Sequence, residues 1–139
     1  MTALPPGAVI GILGGGQLGR MLASAASQLG FDVHVFCSED DAPAARVAMK
    51  HWQAGYDDNA ALSGFARACD VVTLELENIP VSAVEALAAT GTPPHPGAKS
   101  LAVPQDRADE KALLNRIGLA TVDYRTVDSE ADNGTATCR

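Results

Sequence analysis

Apolar positions along the chain follow two alternating rhythms. Val9-Ile10-Gly11-Ile12-Leu13 is a short continuous run, after which Leu18, Leu22, Ala25, Ala26 and Leu29 recur at helical spacing up to Gly30, where a C-terminal cap belongs. Phe31 to Phe36 is β-branched and aromatic, a second strand. Ala42-Pro43-Ala44-Ala45 can open a short helix with proline in its first turn, and His51-Trp52-Gln53-Ala54 reads as a short strand. Asn59 to Ala68 is a helix with Leu62, Phe65 and Ala66 inward. Asp70 to Leu74 is a strand, and Pro80 to Ala89 a helix that turns Val84 and Leu87 to a sheet. Gly91 to Pro96 holds three prolines and is a connector or edge segment. Gln105 to Gly118 reads as a helix with apolar contacts from Ala112, Leu113, Leu114 and Ile117, and Thr121 to Val127 as a final strand. Strands alternating with helices predict an α/β fold on an open parallel sheet with right-handed crossovers. That domain spans residues 8–127. Residues 1–7 are expected to be a flexible N-terminus, and 128–139, with almost no apolar residue, a disordered tail.

Composition narrows the function classes. At 139 residues and 47% apolar content the chain can build one core. A net charge of -7 without a basic run argues against a nucleic-acid footprint and against an anionic membrane surface. The start lacks the pattern of a secretory signal and no stretch is long enough to span a bilayer, so a cytoplasmic location is expected. Cys37, Cys69 and Cys138 have no C-x-x-C spacing; Cys37 and Cys69 read as reduced packing residues, as His51 and Trp52 do among the ring side chains.

The candidate chemistry begins at Gly14-Gly15-Gly16-Gln17-Leu18-Gly19, a G-x-G-x-x-G turn between the first strand and first helix. Gly14 can take positive φ, Gly16 leaves room for a close approach, and Gly19 lets the helix pack on the strand. Free N–H groups at the helix start would then face an anion, a nucleotide or sugar phosphate. The same turn can also serve packing alone. A nicotinamide-binding version needs an acid at the end of the second strand, and here Cys37 and Ser38 intervene before Glu39, Asp40 and Asp41.

A second cluster stands at the end of the Asp70–Leu74 run. Glu75, Glu77 and Asn78 fall where ligands of parallel sheets bind, and Glu75 and Glu77 share a side if the chain stays extended. Alternatively Glu77 and Asn78 face water and cap the next helix. Arg107 and Lys111, four apart, share a helix face that could equally be a solvated one.

Taken in order, Gly14-Gly15-Gly16-Gln17-Leu18-Gly19-Arg20-Met21, Glu75-Leu76-Glu77-Asn78-Ile79-Pro80 and Gln105-Asp106-Arg107 with Glu110-Lys111 resemble the 5-(carboxyamino)imidazole ribonucleotide synthases of the ATP-grasp superfamily. The likeness covers about Ala8 to Asp128, including Ala42-Pro43-Ala44, Gly55-Tyr56-Asp57-Asp58 and His95-Pro96-Gly97. It implies a Rossmann-like pre-ATP-grasp domain with the ATP-grasp domain absent. The implied enzyme is an ATP-dependent carbon–nitrogen ligase of purine biosynthesis that joins bicarbonate to 5-aminoimidazole ribonucleotide through carboxyphosphate.

The resemblance assigns substrate contacts to Gly14, Gly16, Gln17, Leu18, Gly19 and Glu75, with Glu77 in second rank, an ATP contact to Arg107, and a weaker one to Lys111. It implies no catalytic or metal-binding residue in this segment, since ATP and Mg2+ would be held mostly by the missing domain, and it implies a homodimer. Leu74 and Leu76 depart from the aromatic residues usual in the acidic motif. Asn133–Arg139 leaves the family pattern, as a truncation, a frameshift or an isolated domain would, and the chain alone is expected to be inactive. Three alternatives stay open: a formate-dependent transformylase relative, an NAD(P)-binding oxidoreductase domain, and a noncatalytic dimerisation or ligand-sensing module.

Overall fold

A computed structural model describes residues 3–127. Five parallel strands, β1 (Val9–Leu13), β2 (Asp32–Cys37), β3 (Lys50–Gln53), β4 (Val71–Leu74) and β5 (Pro94–His95), form one sheet in the order β3-β2-β1-β4-β5. The chain winds from β1 outward through β2 and β3, then crosses to the other side of β1 to lay down β4. Strand order therefore reverses between β1 and β4, the place where open α/β sheets bind ligands at their carboxyl ends.

Alternation along the strands divides the core in two. Ile12, Val33, Val35 and Cys37 face α1 (Gln17–Gln28) through Ala23 and Ala26. Leu13, Phe36 and Val72 face α2 (Asn59–Arg67) and α3 (Val81–Ala89) through Leu62, Phe65, Val84 and Leu87. The Phe36 and Phe65 rings meet edge-on at 5.4 Å, and Trp52 meets Phe65 edge-on at 6.1 Å, so the strand read as packing does pack. Cys37 and Cys69 are buried free thiols, with burial pushing them up to about 11 and about 12.

Four expectations change. The face that α1 buries is made of Gly19, Ala23 and Ala26, while Leu18 and Leu22 are 49% and 43% exposed. Close approach of helix to sheet selects small residues, so the largest apolar side chains are left outside. Ala42–Ala45 is turn, because the Ala44 N–H donates to the Gly15 carbonyl at 2.9 Å and holds the segment against the glycine turn. The expected Gln105–Gly118 helix is α5 (Arg107–Arg116), shorter by about a residue or two at each end because the Asp106 carboxylate caps it through the Ala108 and Asp109 N–H groups, and a further helix, α4 (Ala98–Gln105), precedes it. No α5 residue is buried; Leu113 and Leu114 are half-buried and Ile117 is exposed. Thr121–Val127 forms no strand, since β-branched residues need a neighbouring edge and a core, and this segment lies mostly exposed.

Near the N-terminus the Gly7 N–H donates to the Gly30 carbonyl at 2.7 Å. The expected tail at 128–139 and residues 1–2 lie outside the described residues. Among the described residues no helix is long and apolar enough to cross a membrane.

His34 on β2 is buried beside Trp52, whose indole N–H donates to His34 Nδ1 at 3.5 Å. Burial and the Lys50 charge lower its proton affinity, against a smaller opposing pull from Asp32. The folded protein therefore binds this proton less well than the unfolded chain. Stability is full above the unfolded histidine range, near pH ~6.5, and falls as the pH drops through it. Urea titrations between neutral and mildly acidic pH are expected to show this loss, and His34→Gln is expected to flatten it; equal slopes in both proteins would rule the mechanism out.

Candidate functional site

The parallel pairing of β1 with β4 matches Leu13 to Leu74, and the Glu75 N–H continues the ladder to the Leu13 carbonyl at 2.9 Å. One residue beyond that register, the glycine turn and Glu75 stand side by side. Gly14 adopts φ +112°, a region closed to most side chains, and turns the chain into α1. The Gly16 N–H, at the start of that helix, then donates to Glu75 Oε2 at 2.8 Å. The position read from sequence as a phosphate cradle thus holds the protein's own carboxylate, stabilised by a charge-assisted bond and the positive end of the helix dipole.

This carboxylate accounts for the motif glycines. A Cβ on Gly14 would lie 2.5 Å from Glu75 Oε2, and one on Gly16 would collide with Oε1. A Cβ on Gly19 would lie 2.8 Å from the Gly14 carbonyl oxygen and 2.9 Å from Glu75 Oε2. The three positions leave room for the Glu75 carboxylate.

A cleft of about 380 Å³ opens over this contact, with Gly14, Gly15 and Gly16 on its floor and Glu39, Ala42, Tyr56, Glu75 and Asn78 around it. Tyr56 is the residue that sequence reasoning passed over, noting it only inside Gly55-Tyr56-Asp57-Asp58. Its ring lies 5.8 Å from that of Phe36 at 31°, and burial, reinforced by Cys37, Glu39 and Glu75, raises its phenol well above the ordinary range. The hydroxyl therefore stays protonated as a donor among carboxylates. Its signal was positional: Tyr56 follows β3, at the same end of the sheet as the glycine turn.

The other candidates are placed elsewhere. Glu77 sits exposed in the turn after Glu75, because the chain ceases to be extended at Leu74; Asn78 enters the cleft in its stead. Gln17 and Leu18 lie on α1 outside the cleft lining, Gln17 bordering a shallow surface groove with Met21. Arg107 is 81% exposed and paired with Glu110, and Lys111 lies over the Tyr124 ring at 4.7 Å; neither lines the cleft. Among the described residues no group of three or more His, Cys, Asp or Glu side chains is placed to hold a metal ion.

A five-stranded parallel sheet with a glycine turn at its order reversal, and an acid from the neighbouring strand set into that turn, defines a Rossmann-like domain. The chain belongs to the ribonucleotide synthetase preATP-grasp domain family, whose model matches residues 8–105.

It is 48% identical over 129 residues to N5-carboxyaminoimidazole ribonucleotide synthase of Brucella melitensis, covering 93% of this chain and 35% of that protein. Identity is 39% over 126 residues to the synthase of Staphylococcus aureus strain COL, covering 91% of this chain and 33% of that one. The crystal structure of the S. aureus synthetase complexed with ADP superposes with a TM-score of 0.86 at 38% identity, over 94% of this chain and 35% of that chain. The Aspergillus clavatus synthase, in complex with ADP and 5-aminoimidazole ribonucleotide, gives 0.72 at 31% identity over 81% and 30%. The chain spans about a third of the length of these relatives.

Two substitutions separate the glycine roles. Gly16→Ala meets only the tip of a flexible side chain at an ordinary φ of -75°, so stability is expected to change by no more than about 0.5 kcal/mol while Glu75 is displaced. Gly19→Ala meets backbone and is expected to cost roughly 1–3 kcal/mol. Denaturant midpoints, with the backbone amide shift at position 16 as a report on Glu75, check both; equal destabilisation would refute the assignment.

Proposed function

We propose that this chain supplies the ribonucleotide-binding part of an N5-carboxyaminoimidazole ribonucleotide synthase, the ATP-dependent ligase that carboxylates 5-aminoimidazole ribonucleotide with bicarbonate. The observation that carries the reading is the Glu75 carboxylate seated in the glycine turn at the cleft floor, in a chain nearly half identical to a synthase of that name. Glu75 Oε2 is engaged by Gly16, leaving Oε1 to accept from a ribose hydroxyl or the exocyclic amine. Tyr56 and Asn78 add donors along the wall. Holding the amine in one orientation beside a short-lived acylating species is catalysis by proximity.

The phosphate of the ribonucleotide belongs at the cleft rim, away from Glu75. For the same reason the NAD(P) reading is weaker, because a pyrophosphate on the helix start would meet a carboxylate at close range. Gly14, Gly16 and Gly19 act by making room for Glu75. Gln17, Leu18 and Glu77 lie outside the cleft lining and stand as substrate contacts on the family resemblance alone. Arg107, with Lys111 behind it in sequence, faces ATP; its exposed pair with Glu110 is one that a phosphate can replace. Magnesium and most of the ATP contacts fall to other parts of the enzyme, and the assembled protein is cytoplasmic.

Isothermal titration of the 139-residue chain with 5-aminoimidazole ribonucleotide is expected to show saturable binding without ATP hydrolysis. Glu75→Gln keeps an acceptor for the Gly16 N–H but loses the charge, and affinity is expected to fall roughly 10- to 100-fold. No binding by the unmodified chain, or NAD binding at micromolar concentration in its place, would overturn the reading.

A homodimer is part of this proposal, supported by the exposed Leu18, Met21, Leu22 and Leu29 side chains of α1 and its C-terminal cap. Sedimentation velocity is expected to show concentration-dependent dimers that Met21→Glu weakens; open-ended aggregation, or a monomer throughout the micromolar range, would remove it.

A further inference from the structure

Gln105 belongs to the third sequence motif, yet neither it nor its motif partner Arg107 lines the cleft. Its side chain reaches back across the fold. Gln105 Nε2 donates to the Glu77 carbonyl and to the Ile79 carbonyl, both at 2.7 Å. These two carbonyls bracket Asn78, in the turn that carries Glu75 and Asn78 to the cleft. A primary amide has two N–H donors on one nitrogen, so a single Gln head can fasten two carbonyls of one turn.

We propose that Gln105 is the positioning residue of the substrate site, holding the β4–α3 turn so that Glu75 stays on the Gly16 N–H. The inference rests on the ribonucleotide reading above for its functional meaning, though not for its geometry.

Packing leaves this work to hydrogen bonds. A hollow of about 220 Å³ lies between the turn and α4, bordered by Glu75, Glu77, Ser100 and Pro104, so side-chain contacts alone do not fill the space beneath the turn. The anchor itself is well held. Gln105 ends α4, whose Leu101 is buried in the same core cluster as Ile79, and the next residue, Asp106, caps α5. Glu75, the turn and α4 thus form one bonded path from the Gly16 N–H to the junction of α4 and α5.

Nuclear magnetic resonance on the 139-residue chain tests this without any ligand. The Gln105 side-chain amide protons are expected to exchange at least severalfold more slowly than those of Gln17 and Gln28. Exchange at the same rate would overturn the proposal with no variant needed. Gln105→Met removes both donors at similar volume. The folded variant is expected to lose protection at the Gly16 amide and to bind 5-aminoimidazole ribonucleotide roughly tenfold more weakly, as follows if the unfastened turn holds Glu75 in place about a tenth of the time. Gln105→Asn, too short to reach, is expected to behave in the same way, whereas a destabilising change in the other half of the core, such as Val33→Ala, should lower stability without selectively shifting the 77–79 amides.

A folded Gln105→Met protein with an unchanged Gly16 amide refutes the positioning role even if the ribonucleotide binds. Loss of Gly16 protection in a protein that never binds the ribonucleotide refutes the functional reading and leaves the positioning role standing.

Discussion

One hydrogen bond, from the Gly16 N–H to the Glu75 carboxylate, joins two segments 59 residues apart and sets the character of the cleft. It exists because β1 and β4 are parallel neighbours in a fixed register, so that Leu13 and Leu74 end together and the residues beyond them must share a small space. A carboxylate in that space needs compensation, and the first turn of α1 supplies an unpaired N–H and a favourable dipole. The glycines are the steric half of the same arrangement. Side chains at 14 or 16 would displace the acid, and one at 19 would push the helix off the turn.

The consequence for recognition is a reversal of sign. A free glycine turn attracts phosphate, whereas this one, with Glu39 and Asp41 also lining the cleft, presents acceptors and asks its ligand for donors. Tyr56 contributes a hydroxyl that burial and nearby carboxylates keep protonated, so the wall is mixed even though the floor is acidic. A ligand with a polyol or amine end and a separate anionic end fits this polarity when the anionic end lies outward. A ribonucleotide has that layout.

Strands β1 to β4 and the helices between them were legible from short local runs, and parallel α/β rules leave few ways to join them, whereas the proline-rich β5 read only as a connector or edge. The face of α1 was not legible, because periodicity follows bulky residues while the sheet contacts run through Gly19, Ala23 and Ala26. The α4 helix was hidden by Pro104, which it tolerates near its end, whereas α5 was legible to within a residue or two, Asp106 being the residue type that caps a helix start. Within the site, Gly14, Gly16, Gly19 and Glu75 could be named one by one, but their contact could not, because register between β1 and β4 is a property of the sheet. Glu77 was paired with Glu75 by an alternation that holds only while the backbone stays extended, and it ceases at Leu74. Tyr56 carried no motif of its own and needed the sheet to bring it to the cleft.

A G-x-G-x-x-G turn therefore does not by itself state what it binds. The same three glycines are required whether the space beside the helix start is taken by an external pyrophosphate or by an internal carboxylate, because both demand close approach to the backbone. What separates the cases is which strand delivers the acid. An acid ending β2 stands at the ribose of a dinucleotide and leaves the turn free. An acid ending β4, the neighbour on the other side of β1, enters the turn and converts an anion site into an acceptor site. In this chain β2 ends in Cys37, a buried thiol, and β4 is followed at once by Glu75, so the sheet order sets an acceptor where a dinucleotide-binding turn leaves its N–H groups free.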